Sequence, residues 1–222
     1  MILKSLKILF GFFGLYCLYQ AQTQGDPLSI VITAYTLGSI PFGLVVTRLF
    51  AGFDVRSIGS GNIGATNVLR SGHKILALLT LGLDMLKGIV AIFMASLYTT
   101  PDLNNPIVLF AAAAALLGHI YPVWLNFKGG KGIATLLGIL ITLSWSVALI
   151  CVLIWILVAK VTRISSLAGL TAATLAPIIG YFVENSLFAL FLSALTVLIY
   201  IRHKENIRRL VQGKEPRIGE SQ

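Results

Sequence analysis

The sequence predicts an all-α membrane protein: a polytopic bundle of about seven transmembrane helices with glycine-rich cytoplasmic loops, preceded by a short apolar N-terminal segment. Three observations predict it. Apolar runs of about twenty residues recur along the chain, long enough to cross a hydrocarbon core about 30 Å thick at about 1.5 Å per residue. Of the 222 residues, 57% are hydrophobic and only 11% charged, and the mean hydropathy is +0.90, whereas a soluble domain carries about 25% charged residues. The 17 Lys and Arg, against 8 Asp and Glu, gather in alternate connections rather than spreading over a surface. Backbone groups in lipid must be satisfied within their own segment, so the apolar runs are helices.

Residues 1–25 form the N-terminal extension. Lys4 and Lys7 precede an apolar stretch at 8–19, which the polar "QAQTQGDP" follows. A signal anchor, a cleaved signal peptide and an interfacial segment all fit this pattern, and each leaves residue 27 outside. The membrane domain is expected over 26–216, with a tail at 217–222. Its apolar runs are 28–50, 75–100, 106–125, 132–159, 165–183 and 186–201.

The loop at 51–74 carries Arg56, Arg70 and Lys74, the next basic loop Lys128 and Lys131, and the 160–163 turn Lys160 and Arg163. The connections at 101–105 and 184–185 carry Asp102 and Glu184 and no Lys or Arg. By the positive-inside rule the basic set is cytoplasmic and the acidic set external. Both flanks of 132–159 then lie inside, so that run must turn back. Two short helices are expected, at 133–143 and 146–159, with "LSWS" (143–146) at the outer turn, each accommodated by tilt or local thinning.

The unusual polar residues fall on the inner side. "SIGSGNIGATNVLRSG" (57–72) contains a literal G-x-G-x-x-G at Gly59, Gly61 and Gly64. A dinucleotide site requires a preceding strand and a βαβ unit, which a chain of membrane helices does not supply. Here the glycines let backbone N–H groups converge into an anion-binding nest. Ser60, Asn62, Thr66 and Asn67 add donors, and Arg70 can fork onto two phosphate oxygens.

In "GHIYPVWLNFKGGKGIAT" (118–135), Gly129, Gly130, Lys131 and Gly132 open onto an apolar helix. Amides at a helix N-terminus plus a lysine make a phosphate site. The Walker A pattern fails, because Leu125 stands where its first glycine belongs and Gly132 follows the lysine. The loop thus reads as anion-binding chemistry without an NTPase, with a basic loop facing anionic headgroups as the alternative.

The tail at 202–219 places His203, Asn206 and Leu210 on one helix face near Arg208 and Arg209, and "TRISSLAG" (162–169) adds Arg163, Ser165 and Ser166. A surface anchor accounts for the arginines but needs neither His203 nor Asn206. Asp84 and Lys87, three apart inside a span, are expected to pair with each other, with substrate contact as the other reading. His119 is expected to pack with one hydrogen bond. Cys17 and Cys151 read as small buried apolar residues, with no metal site or disulfide implied. No basic helix interleaved with aromatics is present, so nucleic acid is not a partner.

In these motifs the sequence resembles the bacterial membrane acyl-phosphate:glycerol-3-phosphate acyltransferases. The likeness lies in "GSIPFG" (38–43), "GSGNIGATNVLR" (59–70), "LDMLKG" (83–88), "GHIYPVWLNFKGGKG" (118–132), the Ser166 turn and "RHKENIRRLVQGKE" (202–215), and runs from about residue 30 to 216. It implies seven helices in the cell inner membrane and an active site on the cytoplasmic face. The implied reaction moves an acyl group from acyl phosphate to the 1-hydroxyl of glycerol 3-phosphate, giving lysophosphatidic acid and phosphate, the first acylation of phospholipid synthesis. It implies no cofactor and no metal, a monomer, and no partners beyond the two substrates and membrane lipid.

The family's substrate-binding positions fall on Ser60, Arg70, Lys131, Ser166, His203 and Asn206. The sequence departs from the family at Lys214, where Thr or Arg often precedes the Glu, and in its N-terminal extension. No Cys–His or Ser–His–Asp arrangement suggests an acyl-enzyme. The H-x-x-x-x-D pattern is also absent, since Leu78, Trp124 and Arg208 stand five after His73, His119 and His203. Direct attack on the anhydride is expected, with His203 the candidate base and a substrate phosphate oxygen the favoured proton acceptor. Crowding by arginines should depress the His203 pKa and leave it binding anions by donation. The rival reading, a transporter of an organic phosphate, would place its site at the midplane on broken helices and often shows repeats. No repeat is visible beyond a faint echo of "GAT" in "GIAT".

Overall fold

The computed structural model describes residues 7, 10–11, 13–20, 25–99 and 102–219, and its regular structure there is helical with no strand. The bundle comprises α1 (Pro27–Gly38), α2 (Phe42–Ala51), α3 (Ala65–Arg70), α4 (Lys74–Ser96), α5 (Pro106–Ile120), α6 (Ile133–Leu143), α7 (Trp145–Thr162), α8 (Ser165–Val183), α9 (Ser186–Arg202) and α10 (Lys204–Val211). Large apolar side chains such as Leu49, Leu78, Phe93, Leu157, Phe182 and Leu190 point outward, as a lipid-facing surface requires and a water-facing one rarely tolerates.

Four stretches are long and apolar enough to cross a membrane unaided: α4, α5 with its following turn, α7 and α8. The bent pairs α1–α2 and α9–α10 raise the number to six. The expected seventh span rests on α6, whose 11 residues rise only about 17 Å.

Two expected spans are interrupted. The run 28–50 breaks after Gly38 and bends by 40°, because Pro41 has no N–H to continue the ladder. The run 106–125 ends as an α-helix at Ile120 and turns through a short 3-10 segment at Val123–Leu125. The turn within 132–159 falls where expected: Ser144 is extended (φ −155°, ψ 94°) and separates α6 from α7.

The ends of the bundle differ in how their helices begin. At one end Asp26, Asn105, Ser144 and Asn185 each cap a helix start with a side-chain oxygen, relieving amides that have no intrahelical acceptor. These connections also touch one another, with Ser144 Oγ donating to Glu184 Oε1 (2.5 Å) and Asn185 Nδ2 to Asn104 Oδ1 (3.5 Å). Asn105 and Asn185 lie in the connections grouped as external by charge and Ser144 in the expected outer turn, and the basic loops gather at the opposite end.

Small residues let the helices approach closely. A Cβ on Gly38 would meet the Ala115 carbonyl oxygen at 2.2 Å, one on Gly118 the Tyr35 oxygen at 2.3 Å, and one on Gly138 the Met85 oxygen at 2.1 Å. The core between α1, α5, α6 and α8 is accordingly rich in alanine. A second cluster, Leu44, Val55, Ile63, Val68 and Ala77, seats the 52–64 loop against α2 and α4.

The described residues before α1 pack along it. Phe10 meets Tyr35 and Trp124 edge-on at 5.9 and 5.8 Å, and Lys7 Nζ donates to the Trp124 carbonyl (2.7 Å). Residues 13–20 are helical. The expected 217–222 tail is joined to the bundle in its described part: the Ile218 amide donates to the Arg163 carbonyl (2.6 Å), and the Arg163 guanidinium to the Ile218 carbonyl (3.2 Å).

Candidate active site

A cavity of about 750 Å³ opens among the basic loops. Its walls are apolar, from Leu136, Leu137, Leu140, Val152, Trp155 and Ala173, and one end is polar, from Ser60, Thr66, Arg70, Lys131, His203 and Glu215. Ser166 and Asn206 belong to the polar end as well. Four separate stretches of sequence, more than 150 positions apart at the extremes, thus meet at one place.

Three helices begin on this cavity: α3 after Gly64, α6 after Gly132 and α8 after Ile164. Unlike the helix starts at the other end, none has a side-chain cap. Unpaired first-turn amides and the positive end of the helix dipole favour an anion at each. Arg70 and Lys131 add full charges. Burial lowers the Arg70 pKa, with nearby Glu215 working against it and Arg209 with it. Burial also pushes Lys131 down to about 8, opposed by Glu215 and reinforced by Arg209, Arg70 and Arg202.

The glycines act differently from the expected amide nests. Gly61 donates its N–H to the Ile58 carbonyl (2.9 Å), Gly64 to Asn62 Oδ1 (3.0 Å), and Ser60 to Asn67 Oδ1 (2.9 Å). Gly61 does not line the cavity; its φ of +66° serves the turn. Asn67 is likewise committed: its Nδ2 donates to the carbonyls of Val55 (2.8 Å), Ile58 (3.1 Å) and Asn62 (2.8 Å). Ser60 Oγ also donates to Asn67 Oδ1 (3.2 Å), and Thr66 Oγ1 lies 3.2 Å from Ser165 Oγ, joining the first loop to the start of α8.

In the second loop Gly129 and Gly130 donate to the carbonyls of Ile120 (3.1 Å) and His119 (3.0 Å), folding back on the end of α5. Neither lines the cavity, whereas Lys131 and Gly132 do. Their carbonyls accept from Arg202, at 2.8 Å for Gly129 and 3.3 Å for Gly130.

Glu215 is the residue that motif reading passed over. It accepts hydrogen bonds from Ser166 Oγ (2.6 Å), Asn206 Nδ2 (2.5 Å) and Arg209 Nε (2.7 Å). Burial acts to raise its pKa, but these three donors and the Arg209 charge outweigh burial and lower it, so it is a fixed anion of the cavity, which Asp84 and His119 also line. The available signal was an acidic residue within a basic tail at the end of a motif.

His203 is buried, and its Nδ1 lies 2.8 Å from the Ile199 carbonyl. A carbonyl only accepts, so Nδ1 carries the proton and a neutral ring presents Nε2 as a lone pair. Burial first, then the Lys131 charge, push its pKa down to about 4, against the Ile199 hydrogen bond. The expected depression is therefore present, but the neutral ring accepts at Nε2 rather than donating to anions. Asn206 Oδ1 is a buried acceptor with no hydrogen-bond partner among the described residues.

Asp84 and Lys87 pair as expected, at 2.8 Å, and Lys87 also donates to the Ile40 carbonyl at the α1–α2 break (3.1 Å). His119 Nδ1 lies 3.6 Å from Asp84 Oδ1 and has no hydrogen bond among the described residues, which differs from the one hydrogen bond expected of a packing histidine. Among the described residues, no serine, threonine or cysteine of the cavity is hydrogen-bonded to a histidine.

The chain as a whole is similar to known proteins. The family model described as glycerol-3-phosphate acyltransferase matches residues 28–213. A glycerol-3-phosphate acyltransferase of Mesorhizobium japonicum is 50% identical over 198 residues, covering 89% of this chain and 98% of that protein. One from Bradyrhizobium diazoefficiens is 51% identical over 195 residues, covering 87% and 96%. The crystal structure of PlsY (YgiH), an integral membrane glycerol 3-phosphate acyltransferase, in its glycerol 3-phosphate form superposes with a TM-score of 0.82 at 41% identity, covering 87% of this chain and 96% of that one. The lysophosphatidic acid form of the same enzyme gives 0.80 at 39%, covering 87% and 95%.

Proposed function

The chain belongs to the glycerol-3-phosphate acyltransferase family, and from that premise we propose that it transfers an acyl group from acyl phosphate to the 1-hydroxyl of glycerol 3-phosphate. The observation that carries this reading is the convergence of three uncapped helix starts with Arg70 and Lys131 on the polar end of an apolar-walled cavity. Both substrates carry a phosphate, and one carries a long alkyl chain. A site for the pair needs two anion positions side by side, above a wall that water leaves. Holding them together offsets their mutual repulsion and converts a bimolecular encounter into a local step.

In the step itself the 1-hydroxyl oxygen attacks the acyl carbonyl carbon. The carbon–oxygen bond to phosphate breaks, and phosphate leaves with the bonding pair. The hydroxyl proton passes to a phosphate oxygen of the substrate. His203, with a pKa of about 4, is too weak a base to hold that proton at neutral pH; its Nε2 and Asn206 Oδ1 accept from the glycerol hydroxyls and orient them. Arg70 and Lys131 grip the phosphates, Ser60 and Ser166 complete the polar end, and Glu215 keeps Ser166 and Asn206 in place. No covalent nucleophile is required, because the mixed anhydride is already activated.

The basic end is assigned to the cytoplasmic face of the inner membrane on the positive-inside rule. In that topology α6 is the seventh span, its 11 residues accommodated by tilt or local thinning of the bilayer.

The experiment uses the purified protein in lipid nanodiscs with palmitoyl phosphate and glycerol 3-phosphate, measuring released phosphate and lysophosphatidic acid. Stoichiometric release of both is expected, with palmitoyl-CoA inert. Activity with the thioester alone overturns the donor assignment. No release, together with glycerol 3-phosphate counterflow in liposomes, makes the protein a transporter instead.

A further inference from the structure

Asp84, Lys87 and His119 have no part in the reaction as written, yet all three are buried, at 1%, 4% and 3% exposure. Charged groups within a membrane span are costly and are retained where they serve a purpose. Mutual neutralisation accounts for Asp84 and Lys87, which pair at 2.8 Å. It does not account for His119, whose Nδ1 faces Asp84 at 3.6 Å without a hydrogen bond.

The other edge of the His119 ring lies against the second glycine loop. A Cβ at Gly130 would stand 2.0 Å from His119 Nε2 and 2.6 Å from its Cε1. The imidazole therefore occupies the space that any side chain at 130 would take. On the same turn the Gly130 amide donates to the His119 carbonyl and the Gly129 amide to that of Ile120. Arg202 holds the carbonyls of these two glycines. The loop is thus pressed between the imidazole and a guanidinium, and Lys131 is the next residue.

We propose that His119 is a positioning residue for the 129–132 loop and sets where Lys131 stands in the cavity. The Asp84 carboxylate faces the ring's Nδ1 from behind at 3.6 Å. Lys87 neutralises Asp84 and, through the Ile40 carbonyl, ties the assembly to the α1–α2 break. The inference deepens the reading above, since it rests on Lys131 as a phosphate-holding group.

The test compares wild type, His119→Ala, Gly130→Ala and the double variant, all full length in nanodiscs. The readouts are kcat and KM with palmitoyl phosphate, calorimetric binding of glycerol 3-phosphate, and melting temperature. Each single variant is expected to raise KM and Kd for glycerol 3-phosphate by about tenfold, with kcat changed less. In the double variant Gly130→Ala should cost less than about twofold beyond His119→Ala, because the missing ring leaves room for the new Cβ. His119→Gln, which keeps a planar polar group, should recover part of the loss, and it replaces His119→Ala should that variant fail to fold. Wild-type KM and Kd in His119→Ala, or independent costs in the double variant, overturn the proposal. A wild type that binds glycerol 3-phosphate without using palmitoyl phosphate, with binding weakened in His119→Ala, overturns only the donor assignment.

Discussion

Lys131 makes activity depend on pH in a direction the structure dictates. Burial first, and then three neighbouring arginines, push its ammonium down to about 8 against the pull of Glu215. With that value about nine-tenths of the free enzyme carries the charge at pH 7 and about one-tenth at pH 9, so kcat/KM for glycerol 3-phosphate should fall about tenfold between them. The substrate phosphate, with a second pKa of about 6, is already dianionic over this interval and adds little to the slope. The kcat profile should be flatter, since a bound dianion holds the proton on the lysine. Lys131→Arg stays charged throughout, so its profile should be level whatever its absolute rate. The measurement is kcat/KM from pH 6.5 to 9.5 at fixed ionic strength, because clustered cations are screened by salt. A wild-type profile level to pH 9.5, or a Lys131→Arg profile that falls in parallel, refutes the reasoning. Stability should move the other way: the unfolded lysine keeps its proton up to its ordinary value of 10.5, so this group's contribution to folding rises with pH from about 8 to above 10.

Glu215→Gln removes the negative charge that holds up the Lys131 pKa. The alkaline fall should shift to lower pH, and unfolding stability should drop by about 1–3 kcal/mol as Arg209 loses its ionic partner, as read by pH profile and chemical denaturation. Gly38→Ala should destabilise by at least about 1–3 kcal/mol because the Ala115 carbonyl is backbone and cannot yield. Gly82→Ala, with nothing within 4 Å of the new Cβ, should be neutral or stabilising by up to about 1 kcal/mol; thermal unfolding in one detergent compares the two. His203→Gln should keep kcat within about tenfold of wild type in steady-state assays, whereas a loss of several decades at unchanged KM would make His203 the base.

What the sequence discloses about this bundle depends on whether the deciding interaction is local. The turn at Ser144 was legible because lysines flank 132–159 on both sides and charge asymmetry is a local count. The α1–α2 break was missed although Pro41 was in view, because an apolar run looks continuous by hydropathy. Sidedness put Arg70, Lys131, Ser166, His203 and Asn206 at one face, the family resemblance implied that they form one site, and the cavity lining contains all five. The use of the glycine amides was not legible: the carbonyls of Ile120 and His119 that occupy Gly129 and Gly130 come from a turn folded back on itself. Glu215 escaped notice because its partner Ser166 lies 49 positions away. The uncapped helix starts were there to be read, since Gly64, Gly132 and Ile164 are not residues that cap with a side-chain oxygen.

The position of Glu215 bears on the order in which the protein is made. Arg70, Lys131, Ser166 and Arg202 all stand earlier in the chain than Glu215, so they are synthesised before it. Until then the nascent bundle holds a ring of cations without their counter-ion, beside an apolar chamber lacking the wall from Pro216, Ile218 and Gly219. Contacts from Glu215 to Ser166, Asn206 and Arg209, and from Ile218 to Arg163, then close it. Spanning the membrane and closing the polar end of the cavity therefore rest on different parts of the chain. A chain stopped at residue 210 would be a complete set of spans and an inert one.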